Sequence, residues 1–191
     1  MIKIDYRKYQ GARNLSWEIL IKEKITKLPI DIVELCKKLN IEVKYNSLES
    51  GDSGSCTVVD GTPYIFVSQN CSEQRKRFTI AHELGHILLS HVGKYRLVNR
   101  EPSPNDNIIE QEANVFASRL LAPACVLWGC KVKTAEEIAK LCDISNQAAT
   151  FRMERMKILY KRDMFLKSPL ERRVYKRFKK FILNHQHSAN S

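Results

Sequence analysis

The chain has 191 residues, 43% hydrophobic and 28% charged, with a net charge of +11. That is enough for one globular domain, or one domain with a small helical appendage, and too apolar for a disordered chain. No run of 18 apolar residues occurs and Met1–Gln10 has no apolar core, so neither a membrane span nor a secretory leader is expected. A cytoplasmic protein follows from that reading. The six cysteines (36, 56, 71, 125, 130 and 142) are scattered without a CxxC pair, so they are expected to be reduced thiols.

In chain order, residues 14–27 read as a helix, with Leu15, Ile19, Leu20 and Ile25 apolar. Pro29 opens a second, with Ile32, Val33, Leu35 and Cys36 apolar and Asn40 placed to end it. Residues 41–45 alternate as a half-buried strand does, and residues 55–59 and 64–67 are two more short strands. Asp60-Gly61-Thr62-Pro63 between the last two is turn chemistry, and the three strands are expected to form a small antiparallel sheet. Asn70 with Glu73 predicts a cap for a helix that runs through His82 and His86 to about Ser90. A polar loop at 93–106 leads to a helix over 107–121 that Pro123 stops. Thr134 with Glu137 forms a capping box, and Ser145 starts a further helix after a turn at 142–144. The last forty residues read as basic helix that frays from His185. The chain reads as one domain over 1–130 followed by a C-terminal helical segment with a basic tail over 131–191.

The strongest chemical signal is His82-Glu83-Leu84-Gly85-His86. On a helix, residues four apart share a face, so two imidazoles can reach one ion while Glu83 stands beside them as a proton acceptor. Zinc suits such donors, keeps an open position and lowers the pKa of a bound water to about 7. The flanking Phe78, Ile80, Ala81, Leu84, Ile87 and Leu88 predict burial, and buried imidazoles need a partner. A third ligand is required. His91 is nine residues beyond His82, about half a turn off that face of a continuing helix. Glu110 lies on a stripe with Ala113, Asn114, Ala117 and Leu121, whereas Glu112 points to the other side, nearer Arg119. Glu110 is favoured as ligand, with Glu112 open and a cap with Asn107 as Glu110's alternative role. Asn114 could hold a ligand histidine in place. Gly85, opposite Ala113 and Ala117, would let the two helices approach closely.

Two blocks carry a resemblance to a known family. One is Arg77-Phe78-Thr79-Ile80-Ala81-His82-Glu83-Leu84-Gly85-His86-Ile87-Leu88-Leu89. The other runs from Glu110-Gln111-Glu112-Ala113-Asn114 through Phe116-Ala117-Ser118-Arg119 to Ala122-Pro123. With Leu28-Pro29-Ile30-Asp31 and Ser53-Gly54, the chain resembles the ImmA/IrrE metallopeptidases over residues 28–158. Ala122 departs from the methionine usual before that proline. The resemblance implies an α+β, mainly helical zincin-like domain followed by a helix-turn-helix-like segment. It implies one zinc ion on His82, His86 and Glu110, with Glu83 as general base. It also implies a protein substrate, a co-encoded helix-turn-helix repressor whose cleavage relieves repression. The peptide is expected to pair along residues 64–67 as an edge strand. The oxyanion-stabilising group is not identified, with Tyr95 and His91 as the only suggestions.

Residues 134–158 also have the outline of a helix-turn-helix, in which Asn146, Gln147, Thr150 and Arg152 could face DNA. A packed helical pair is the favoured reading. Residues 152–180 hold twelve Lys+Arg against three acids, nine of the eleven net charges. Nucleic acid is therefore an open partner but not a favoured one, and a membrane is not expected. The rival functions are a non-catalytic metal protein that sequesters a regulator, and a DNA-binding regulator.

Overall fold

The structure is a computed structural model that describes residues 8–47, 53–92 and 108–188. Among these are eight helices and three strands, an α+β fold that is mostly helical. They divide into two compact units, one drawn from Met1–Leu15 and Asp31–Ala117, the other from Ser16–Ile30 and Ser118–Ser191. None of the described helices is long and apolar enough to cross a membrane.

Helix α1 (Gln10–Lys22) spans the boundary of the two units. It starts and ends earlier than periodicity suggests, and Lys24, at a left-handed φ of 55°, turns the chain away after its end. Helix α2 (Ile32–Lys38) is opened by Asp31, whose side chain accepts from the Glu34 amide at 2.9 Å, and not by Pro29. Asn40, at φ 56°, turns the chain out of it as expected.

Three strands follow, β1 (Glu42–Asn46), β2 (Gly54–Val59) and β3 (Thr62–Ser68). Asp60 and Gly61 both have positive φ (48° and 78°), which a two-residue hairpin turn requires. Val59 therefore faces Thr62, and Pro63 lies within β3 opposite Val58 and not in the turn. The sheet order is β1-β3-β2, with β1 parallel to β3. The sheet is thus mixed, not antiparallel. Period-two alternation shows that a segment is a strand but carries no information about its direction, and the hairpin leaves β3's second edge open to a parallel neighbour. As the central strand, β3 has no free edge for a peptide; β1 and β2 are the edges.

Helix α3 (Glu73–Leu88) packs on β2 and β3. Its cap is Ser72, which accepts from the Arg75 amide at 3.3 Å, and not Asn70. Ile80, Ala81 and Leu84 of α3, Ile65 and Val67 of β3, Leu35 and Cys36 of α2, and Ala113 and Phe116 of α4 (Ile108–Leu121) are all buried in this unit.

The second unit holds α5 (Ala124–Gly129), α6 (Ala135–Cys142), α7 (Asn146–Lys161) and α8 (Pro169–Ser188). Pro123 ends α4 and immediately caps α5, a short helix that the sequence reading did not separate. The capping box at Thr134 and Glu137 is present, Asp143 takes the left-handed turn, and Ser145 caps α7. Gly129 is crowded: a Cβ there would come 2.8 Å from side-chain atoms of both Ile182 and Tyr175. Gln186 donates to the Gly129 carbonyl at 2.6 Å, and α8 stays helical through Ser188, beyond the expected fraying at His185. Helix α8 buries Val174, Phe178 and Ile182, spaced by four, and exposes Arg172, Arg173, Lys176, Arg177, Lys179 and Lys180.

Candidate metal centre

The spacing of His82 and His86 places both imidazoles on one face of α3, and close packing brings α4 to meet them. Gly85 permits that approach. A Cβ there would stand 3.1 Å from Phe116 Cδ1 and 3.3 Å from Ala113 Cα, so anything larger than hydrogen pushes against α4. Ala113 is where the sequence placed the contact.

Three donor groups converge. His82 Nε2 lies 3.0 Å from His86 Nε2 and 3.1 Å from Glu110 Oε2, and His86 Nε2 lies 3.4 Å from Glu110 Oε1. Donors bound tetrahedrally to zinc at ~2.0–2.1 Å stand roughly 3.3 Å apart, so this set fits a single ion. His82, His86 and Glu110 form the cluster capable of holding a metal among the described residues. The neighbouring His82 and then His86 hold Glu110 well below the usual carboxylate range, although its burial opposes this. The carboxylate is therefore ionised, as a ligand must be. Asn107, the alternative capping partner of Glu110, lies outside the described residues.

Around the donors, Asn114 Oδ1 is 3.0 Å from His82 Nδ1. An amide oxygen only accepts, so the proton of His82 sits on Nδ1 and Nε2 presents its lone pair to the cluster. Behind His86 the arrangement differs from expectation. Glu112 does not point away toward Arg119; its Oε2 lies 3.2 Å from His91 Nε2, and His91 Nδ1 lies 3.1 Å from His86 Nδ1. His91 thus faces the back of His86 and not the cluster, which removes it both as ligand and as oxyanion donor. Burial first, then the neighbouring His86, push its pKa down. Tyr95, the other suggestion for the oxyanion, lies outside the described residues.

Glu83 is buried on α3, one residue after His82. Beside it is the start of β2: a Cβ on Gly54 would collide with Thr79 Cγ2, reach 2.8 Å from the Phe66 carbonyl and lie 3.8 Å from Glu83 Cγ. Glycine at 54 therefore lets the strand's backbone run against the helix at the level of the acid.

Away from the centre, Arg152 does not face outward as a DNA contact would. It is 3% exposed and donates from Nε to the Ala122 carbonyl at 2.8 Å. Asn146, Gln147 and Thr150 are exposed. The six cysteines are all free.

Comparison with known proteins agrees with this centre. The family model described as the IrrE N-terminal-like domain, Peptidase M78, matches residues 36–154, which include α3, α4 and the whole donor set. No curated protein matches the chain. A solved structure titled Mycobacterium tuberculosis transcriptional regulator has the same fold at a TM-score of 0.55 and 14% identity. The match covers 87% of this chain and 51% of that one, so the chain spans about half the length of that regulator. With the matched region covering well over half of its residues, the chain belongs to the IrrE N-terminal-like domain family, Peptidase M78.

Proposed function

We propose that the chain is a zinc-dependent endopeptidase that cleaves a helix-turn-helix transcriptional repressor encoded beside it. The observation that carries this reading is the convergence of His82, His86 and Glu110 with the buried Glu83 on the same helix as the two histidines. A structural metal site would be closed by a fourth protein ligand and would have no use for an adjacent acid. Membership of a peptidase family supports it further.

A zinc ion on these three donors supplies a Lewis acid for the scissile carbonyl and lowers the pKa of water there. Glu83 accepts the proton of the attacking water and returns it to the leaving amine nitrogen, the two-stage role of a general acid–base. Strand β2 is the edge suited to align the substrate. It pairs with β3 on one side, and its first residue, Gly54, borders Glu83. An extended peptide adding to β2 gains backbone hydrogen bonds that do not depend on sequence, which leaves side-chain pockets to choose the site.

The test is incubation of the purified chain and zinc with the neighbouring regulator, with Glu83→Gln alongside. The expected result is one discrete cut by the wild type and a rate at least about 100-fold lower for the variant. Equal cutting by both would remove Glu83 from the mechanism. No cutting by either, with tight binding of the regulator by both, would favour sequestration over hydrolysis.

A further inference from the structure

His86 has two ring nitrogens in different surroundings. Nε2 faces His82 and Glu110, while Nδ1 faces His91, and His91 in turn meets Glu112. The end of α3 creates this placement. Helix geometry stops at Leu89, and Ser90 takes a left-handed φ of 58°. The Ser90 amide then donates to the Ile87 carbonyl at 3.1 Å and the His91 amide to the His86 carbonyl at 2.9 Å. This six-to-one and five-to-two pair is the Schellman closure, and it folds residue 91 back onto residue 86.

Proton positions follow from the partners. The Glu112 carboxylate only accepts, so the proton of a neutral His91 sits on Nε2 and its Nδ1 is bare. Two bare nitrogens 3.1 Å apart would repel, so His86 must carry its proton on Nδ1 and donate it to His91. A ring protonated on Nδ1 has its lone pair on Nε2, where it faces the lone pair of His82 and the Glu110 carboxylate, a convergence that calls for a cation between them. We propose that Glu112 and His91 form a two-step relay that holds His86 in its metal-binding tautomer and orientation, as Asn114 does alone for His82. The relay rests on the reading of His82, His86 and Glu110 as metal donors. Both residues are positioning residues; neither touches the ion or the substrate, because the two nitrogens of His86 point to opposite sides of its ring.

The test uses the full chain, with zinc affinity measured by competition against a chromophoric chelator. In parallel, proton NMR of the cobalt(II)-loaded protein follows the exchangeable ring N–H signals of the bound histidines. Wild type is expected to show two slowly exchanging signals. His91→Ala should lose one of them and bind zinc about 10-fold more weakly or worse. His91→Gln offers an amide oxygen to the same proton and should restore both. Glu112→Ala should weaken zinc binding in the wild-type background but not beside His91→Gln, since its effect passes through the His91 ring. Two slow signals and full affinity in His91→Ala would overturn the relay and leave the metal centre standing. Equal weakening by Glu112→Ala in both backgrounds would overturn the order of the relay. A wild type that takes up no zinc would overturn the centre and the relay together.

Discussion

Glu110 and Asn114 stand one turn apart on α4 and address different atoms of the histidine pair. Glu110 contributes charge to the cluster, while Asn114 fixes where the proton of His82 lies. Asn114→Ala removes only the second effect. It is expected to weaken zinc binding about 10-fold while keeping one ion per chain, as measured by chelator competition. Both residues were legible in the sequence, because i, i+4 spacing on a helix of small inward residues is a strong constraint. His91 and Glu112 were not. The helical-wheel argument that set His91 half a turn away assumes that α3 continues, and the left-handed Ser90 ends it one residue earlier. A non-glycine residue in that conformation is hard to foresee from sequence. Once His91 folds back, Glu112 meets it, on a side the sequence had placed nearer Arg119.

At the scale of elements, the centre depends on how closely α3 and α4 approach. The two histidines ride on one helix and the carboxylate on the other, so the spacing of the helices sets the spacing of the donors. Gly85→Leu would drive a side chain into Phe116 and the Ala113 backbone. Overpacking of this kind costs about 1–3 kcal/mol. The expected outcome is a folded but less stable protein whose zinc affinity falls far more than its stability, read by thermal melting and chelator competition on the same sample. The close contact at Gly85 was readable from the pairing of small residues. So was the β2–β3 hairpin, because Asp-Gly between two apolar runs admits few other conformations. The direction of β1 was not readable, since alternation is the same in both directions and the open edge of β3 can pair with a strand running either way. Asn70 and Ser72 carry equivalent capping chemistry two residues apart, and it is Ser72 that accepts from the first turn of α3. Arg152 was misplaced for a related reason: a basic residue on a helix-turn-helix outline suggests an outward face, but its spacing within α7 turns it inward, to the Ala122 carbonyl.

Across the whole molecule, composition and charge were the weaker guides. The basic run over 152–180 left nucleic acid open without favouring it, and in α8 it forms the exposed face of an amphipathic helix, with Val174, Phe178 and Ile182 buried. The α+β class was legible because each segment's periodicity is local. The division into two units was harder to foresee, since each draws on segments distant in sequence, with the boundary falling inside α1 and α4. The donor set has the same long-range character: His82 and Glu110 come from separate helices and meet only in the folded chain. Native mass spectrometry of the purified chain with added zinc tests this most directly. The account predicts one ion on the wild type, one on Glu83→Gln, and none on Glu110→Ala or on the double variant His82→Ala/His86→Ala. A wild type without an ion, or a double variant that keeps one, would contradict it.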